Sequence, residues 1–259
     1  ERYIEIRETT EALYLVQSLL SWFVRTQGER SVFEESYKGH EDLFSRETVD
    51  FLGGLLENPD LSDDDRRAIR YMYNAFLLEY IAIDTAHFSD EINDAEAEST
   101  VELDWVDEPV PYRQILSMMA NEDDEERRQK LQAAQAKVWK EVLNPIHARE
   151  EERVQELAVE LGYDSYVALS ELYREVDLKK LIADTVEFVR ETDEMYHKLF
   201  AGEVREVMGI SVDEFTRADI QYFASVPAFK PFFPPELTIP AFMHFLEGMG
   251  LDLTTRADT

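Results

Sequence analysis

Carboxylates and imidazoles carry most of the chemical potential of this chain, which has 56 Asp and Glu, five His and no Cys. Two His four residues apart on one helix face can hold zinc, with a Glu between them to activate water. The histidines are His40, His87, His147, His197 and His244, and no two are so spaced. His147-Ala148-Arg149-Glu150-Glu151 has the wrong spacing, and His244-Phe245-Leu246-Glu247 lacks the second His. Glu194-x-x-His197 does match the spacing that helical di-iron and di-manganese proteins use twice in one bundle. Asp84-x-x-His87, with Glu91 one turn further on, is the nearest thing to a second copy. A full site needs a carboxylate from each of two more helices. In so acidic a chain such spacings arise by chance, and a surface His beside a surface Glu is the plainer reading. Glu194 and His197 are therefore the metal candidates, and no residue is assigned a catalytic or cofactor-binding role.

Nucleophilic chemistry has less to stand on. Ser62, Ser165 and Ser211 sit where helices begin, and a capping hydroxyl explains them. No Gly-x-Ser-x-Gly and no phosphate-cradling glycine loop occurs. Tyr163 and Tyr166 flank a turn at Gly162, where aromatics usually pack rather than meet a substrate. The stretch PAFKPFFPPE sets Phe229, Phe232 and Phe233 among prolines. It reads equally as a loop pinned onto the core or as a docking seam for a further domain.

Composition narrows the partners. The net charge is −30, from 56 acids against 26 bases, of which only eight are Lys. Nucleic-acid backbones and anionic membranes need clustered basic groups, so neither is an expected partner. The acidic residues spread along helix faces, as on a solvated surface. Apolar residues at 44% and aromatics at 12% imply a folded core. No apolar run approaches the roughly 18–20 residues of a membrane span. No basic-then-apolar leader opens the chain and no Cys calls for an oxidising compartment, so the expected location is cytoplasmic.

Helical periodicity dominates the elements that must position these groups. A first helix is expected over 2–26, ended by Gly28, with Ile6, Leu13, Val16, Leu20 and Phe23 recurring on one face. Shorter helical pieces follow over 29–37 and 40–56. Ser62-Asp63-Asp64-Asp65 starts a long helix to about Ala97, with Ile69, Met72, Phe76, Tyr80 and Ile83 inward. Val101, Leu103 and Trp105 alternate with acids and predict a short strand. A small helix over 112–120 and a long one to Leu161 follow, with a kink or break at Asn144-Pro145. Further helices are expected over 165–175, 177–208, 216–224 and 239–249. That over 177–208 should turn Leu178, Ile182, Val189, Tyr196 and Leu199 inward. The fold class is all-α: one elongated lobe, 1–259, of long antiparallel helices with a minor strand or hairpin near 101–105.

The order of parts carries a family resemblance. Tyr37-Lys38-Gly39-His40-Glu41-Asp42-Leu43-Phe44, Leu103-Asp104-Trp105 through Pro111-Tyr112-Arg113, and the Asn121-Glu122-Asp123 cap come first. Arg127-Arg128, the Leu161–Tyr166 turn and Arg217-Ala218-Asp219-Ile220 follow, and then Phe233-Pro234 through Gly248-Met249-Gly250-Leu251-Asp252-Leu253. Together they resemble the helical portion of zinc oligopeptidases of the thimet oligopeptidase and oligoendopeptidase F family. The resemblance implies a deep channel between two lobes, open to short unstructured peptides. It implies that zinc, the general-base Glu and substrate-positioning Tyr and His residues belong to a C-terminal catalytic domain that follows this chain in cis. On that expectation this chain is the channel-wall lobe, holds no cofactor and is catalytically incomplete alone; whether it counts as an enzyme is left open. Such a lobe should expose an apolar seam near Phe229–Phe233 and form homodimers through it. A rival expectation is a non-catalytic helical interaction protein without a large apolar face. A third is a di-metal carboxylate bundle built on Glu194 and His197.

Overall fold

A computed structural model describes residues 1–251. The protein is all-α, with one two-stranded antiparallel hairpin among the described residues. The helices are α1 (Arg2–Gln27), α2 (Phe33–Ser36), α3 (Arg46–Leu56), α4 (Asp63–Glu98), α5 (Ile115–Asn121) and α6 (Glu125–Val138). Then come α7 (Asn144–Glu160), α8 (Tyr166–Arg174), α9 (Leu178–Met208), α10 (Ile220–Ala224) and α11 (Thr238–Gly248). No helix among the described residues is long and apolar enough to cross a membrane.

The chain divides into two compact units, one of Glu1–Arg113 with Ala134–Arg190, the other of Gln114–Ala133 with the chain from Glu191 onward. In the first unit α4 is the central element and packs against α2, α3 and α7. Its start is set by Ser62, whose Oγ accepts from the Asp65 N–H at 3.1 Å, with three Asp in the first turn facing the positive helix end. Ile69, Phe76, Leu77 and Ile81 are buried on it, and Met72, Tyr73, Tyr80 and Ile83 border the core. Around them pack Phe44, Leu52, Leu157 and Leu169, with Phe44 edge-on to Tyr37 at 5.7 Å. Arg153 on α7 ties back to α4 through both oxygens of Asp84, at 2.7 and 2.9 Å.

Several boundaries differ from the sequence expectation. The helix expected over 29–37 shrinks to α2, because the Asp90 carboxylate on α4 takes the Phe33 and Glu34 N–H groups and the Ser31 hydroxyl, fixing its first turn. The strand expected over 101–105 is confined to β1 (Thr100–Val101), paired with β2 (Val110–Pro111). Pro111 has no N–H to extend the ladder. At Asn144-Pro145 the helix does not break. Pro145 offers no N–H to the Glu141 carbonyl, and the chain widens into one π turn, Trp139–Leu143, closed by the Asn144 N–H on the Trp139 carbonyl. That turn brings Trp139 over the ring of His147, 5.6 Å away and nearly parallel. In α1, Val16 and Phe23 are 49% and 41% exposed, and the buried stripe runs Ile6, Thr10, Leu13, Val24 instead.

The clearest correction concerns α9. Ile182, Val189, Tyr196 and Leu199, expected inward, are each more than half exposed, and Val204 is the residue it buries. Thirty-one residues at 1.5 Å each make a rod of about 46 Å, and its large apolar residues from Leu181 to Leu199 are half or more exposed.

The second unit is organised around Arg128. Arg128 is 3% exposed and Asp219 is fully buried at 0%. Arg128 Nε and Nη2 both donate to Asp219 Oδ1, at 2.9 and 2.8 Å, and Nη1 donates to the Glu122 and Asp123 carbonyls. The other Asp219 oxygen accepts the Thr216 N–H and hydroxyl, closing a capping box on the turn Arg217–Asp219. The guanidinium lies 4.8 Å over the Tyr222 ring of α10. Ile115, Met119, Leu131, Val204 and Ala218 complete the buried set, and Phe200, Phe215 and Phe223 meet edge to face at 5.2–5.6 Å. Removing one partner of a buried, hydrogen-bonded ion pair strands the other. Arg128→Ala should therefore cost about 3–5 kcal/mol of stability in urea unfolding, whereas replacing both Arg128 and Asp219 by apolar residues should cost much less.

Candidate functional site

Glu194 and His197 lie exposed on α9, where His197 Nε2 meets Asp193 Oδ1 at 3.3 Å. On α4, Asp84 is committed to Arg153, and His87 directs Nδ1 to the Asp84 backbone carbonyl at 3.0 Å. Glu91 is held by Arg149 at 2.5 Å. Among the described residues no group of three or more His, Asp or Glu is placed to share a metal ion. Tyr163 and Tyr166 border the first unit's core, with the Tyr163 hydroxyl 3.4 Å from that of Tyr73.

Two features of the first unit escaped the sequence reading. One is an open cleft of about 740 Å³ between α2, α4 and α7. Glu34, Glu35, Asp90, Glu91, Asp94, Glu98 and Glu141 line it, with Arg30, Arg149 and His87. Much of its charge already has structural work: Asp90 caps α2, Arg30 reaches Asp94 at 3.3 Å and Arg149 reaches Glu91. The other is Glu79 on α4, which accepts the Tyr14 hydroxyl at 2.7 Å and the Tyr37 hydroxyl at 3.0 Å. Burial pushes the Glu79 carboxyl above its ordinary value, against the lowering effect of the two phenols, and burial with the Glu79 charge pushes both phenols up. No local pattern announces this trio, because its members are 42 and 65 residues apart.

Asp84 and Asp219 shift the other way. The Arg153 hydrogen bond chiefly holds Asp84 below its usual range. For Asp219 burial acts upward, but the Thr216 bonds and Arg128 outweigh it and the carboxyl is held down.

The largest candidate surface is in the second unit. The chain enters it at Val226, a β-branched residue in the left-handed region at φ 46°, where only a constrained turn would hold it. A 3-10 turn over Pro227–Phe232 follows, then a second over Pro235–Leu237, then α11. Lys230 pins the first turn by donating to the Ala120 carbonyl at 3.1 Å and lying over the Tyr222 ring. The aromatics around it point away from that anchor. Phe232 and Phe233 are 75% and 76% exposed, and Phe229, Leu237, Ile239, Phe242, Phe245 and Met249 are all more than half exposed. No residue of α11 is buried. From Val226 to Leu251 the only formal charges are Lys230, Glu236 and Glu247, in a chain of net charge −30. In PAFKPFFPP the lysine pins the stretch, and the phenylalanines stay exposed.

Protonation separates these groups in solution. Glu79 holds its proton in the folded state above the unfolded value near 4.5, so its contribution favours folding at low pH and declines as pH rises through that window. Glu79→Gln should remove this slope, so that its melting temperature rises relative to the parent between pH 4.5 and neutrality. Asp84→Asn should do the reverse, since Asp84 stabilises above the unfolded value of 3.8 and that contribution is lost only as pH falls.

No family model, no curated protein and no solved structure matches this chain.

Proposed function

We propose that this chain is the helical channel-wall lobe of an oligopeptidase-like zinc metallopeptidase, contributing substrate access rather than chemistry. The observation that carries the reading is the apolar seam of the second unit. Taking 150–250 Å² per aromatic side chain, the exposed residues from Phe229 to Leu251 present roughly 1,000 Å² of apolar surface. A typical monomer's largest patch is about 300–600 Å², and one side of a standard interface is about 800 Å². A surface of that size suits a domain that docks permanently, and its scarcity of charge suits a core-like contact. A self-sufficient helical interaction protein has no need of it. The same seam offers the isolated chain a way to dimerise. The zinc, the general base and the peptide-positioning residues belong, on this reading, to the docked domain.

The purified chain should give no chelator-sensitive hydrolysis of short unstructured peptides. The gene should continue in frame beyond residue 259 into a segment encoding His-Glu-x-x-His. Co-expressed with that segment, the chain should support zinc-dependent hydrolysis, and Phe232→Asp with Phe233→Asp should uncouple the two while leaving the chain's helical circular dichroism unchanged. Peptide hydrolysis by the chain alone, or a stop codon at its end, would overturn the proposal.

A further inference from the structure

The middle of α1 is held to the first unit by polar contacts rather than by packing. Of its 26 residues the helix buries Ile6, Thr10, Leu13 and Val24, and no residue between Leu13 and Val24 is buried. Leu15, Val16, Leu19, Trp22 and Phe23 are all exposed there. What ties this stretch down is a pair of hydrogen bonds. The Tyr14 hydroxyl donates to Glu79 Oε1 at 2.7 Å, and Gln17 Nε2 donates to Ser36 Oγ at 3.0 Å. The Tyr37 hydroxyl donates to the second oxygen of Glu79 at 3.0 Å. One carboxyl of α4 thereby joins α1 to the turn that follows α2.

That carboxyl has no cation beside it. Asp84, five residues further along α4, lies against Arg153 and is held low by it. Glu79 meets two neutral phenols, and among the described residues no charged side chain of α2, α3 or α7 acts on it. A carboxylate partly withdrawn from water without a counter-charge is disfavoured against its protonated form. Burial accordingly pushes Glu79 up despite both hydrogen bonds. The two phenols are themselves pushed up, so Glu79 is the member of the trio that changes charge at ordinary pH. Tyr14 belongs to α1, so lifting that helix returns Glu79 to water and towards its ordinary value of 4.5. The docked helix therefore binds the proton more tightly than the lifted one, and the proton favours docking. This contribution is whole below the ordinary value and is lost as pH rises through the raised one.

We infer that Glu79 is a pH-responsive latch on α1: its protonated carboxyl keeps the middle of the helix against α4, and its ionisation lets that stretch open ahead of the rest of the first unit. The latch confines the pH response to one helix and does not rest on the peptidase reading.

Native-state hydrogen exchange of the full chain, read peptide by peptide, separates α1 from α3 and α7. From about pH 5 to about pH 8 the protection factors of residues 10–20 should fall, by up to about ten-fold per pH unit for the single proton, while those of α3 and α7 hold. Glu79→Gln places a neutral carboxamide in the bridge and should keep α1 at its acid-side protection throughout. Tyr14→Phe keeps the ring beside the carboxyl but withdraws one donor to its ionised form, so the fall should extend to higher pH. The same pH profile in the parent and in Glu79→Gln, protection of α1 that rises with pH, or α1 exchanging only together with α3 and α7 at every pH, would each overturn the proposal.

Discussion

A guanidinium withdrawn from water must be given acceptors for its N–H groups, and the second unit is arranged to do this for Arg128. Four of its hydrogen bonds go to Asp219 and to the carbonyls of the turn before α6. Asp219 in turn spends its remaining oxygen on the backbone and hydroxyl of Thr216. One side chain thereby fixes the start of α6, the turn before α10 and the ring of Tyr222 against which Lys230 rests. The Pro-aromatic segment hangs from that anchor. A saturated polar network is costly to disturb because each member, left alone, would be an unpaired buried group. Such a network specifies geometry more than it adds stability, which suits a unit whose main feature is a surface held out to solvent.

The first unit reaches order by different means. Its helices are held by aromatic and aliphatic packing on α4, with charged groups acting as ties at the rim, such as Arg153 to Asp84. These are the contacts a helical hydrophobic pattern can anticipate. Gly28 ends α1 with φ 68°, Ser62 and Ser165 cap the helices they precede, and Gly162 turns the chain at φ 96°. Each of those signals is local, so each was legible in the sequence. The Thr216-x-x-Asp219 capping box is local as well, although only a helix start near Thr216 was read from it. What it could not supply was the donor, since Arg128 lies 91 residues away. Two segments noted separately in the sequence, Arg127-Arg128 and Arg217-Ala218-Asp219, thus turn out to be halves of one contact.

Periodicity failed in a more instructive way at α9. An apolar stripe shows which face prefers to leave water, and says nothing about whether a neighbour is there to receive it. In α4 the stripe found α2, α3 and α7; in α9, Ile182 and Leu199 remain 62% and 61% exposed. The metal candidates show the complementary limit of a sequence pattern. Glu194-x-x-His197 is a property of one helix, whereas a metal site is a property of several, and His197 is met by Asp193 from its own helix. Spacing within an element was readable throughout, and convergence between elements was not.

The π turn at Trp139–Leu143 bears on how this chain tolerates changes of length. In a regular α-helix, residues eight apart end about 80° apart around the axis, too far for their rings to stack. The wide turn absorbs that angle, and Trp139 comes to lie on His147. A π turn is geometrically an α-helix carrying one surplus residue. Deleting a residue between 139 and 143 would let the ordinary hydrogen-bond ladder close, whereas the same deletion in a regular stretch would rotate everything beyond it by roughly 100°. In this helix the place best able to lose a residue is therefore the place where Pro145 forced the spare turn.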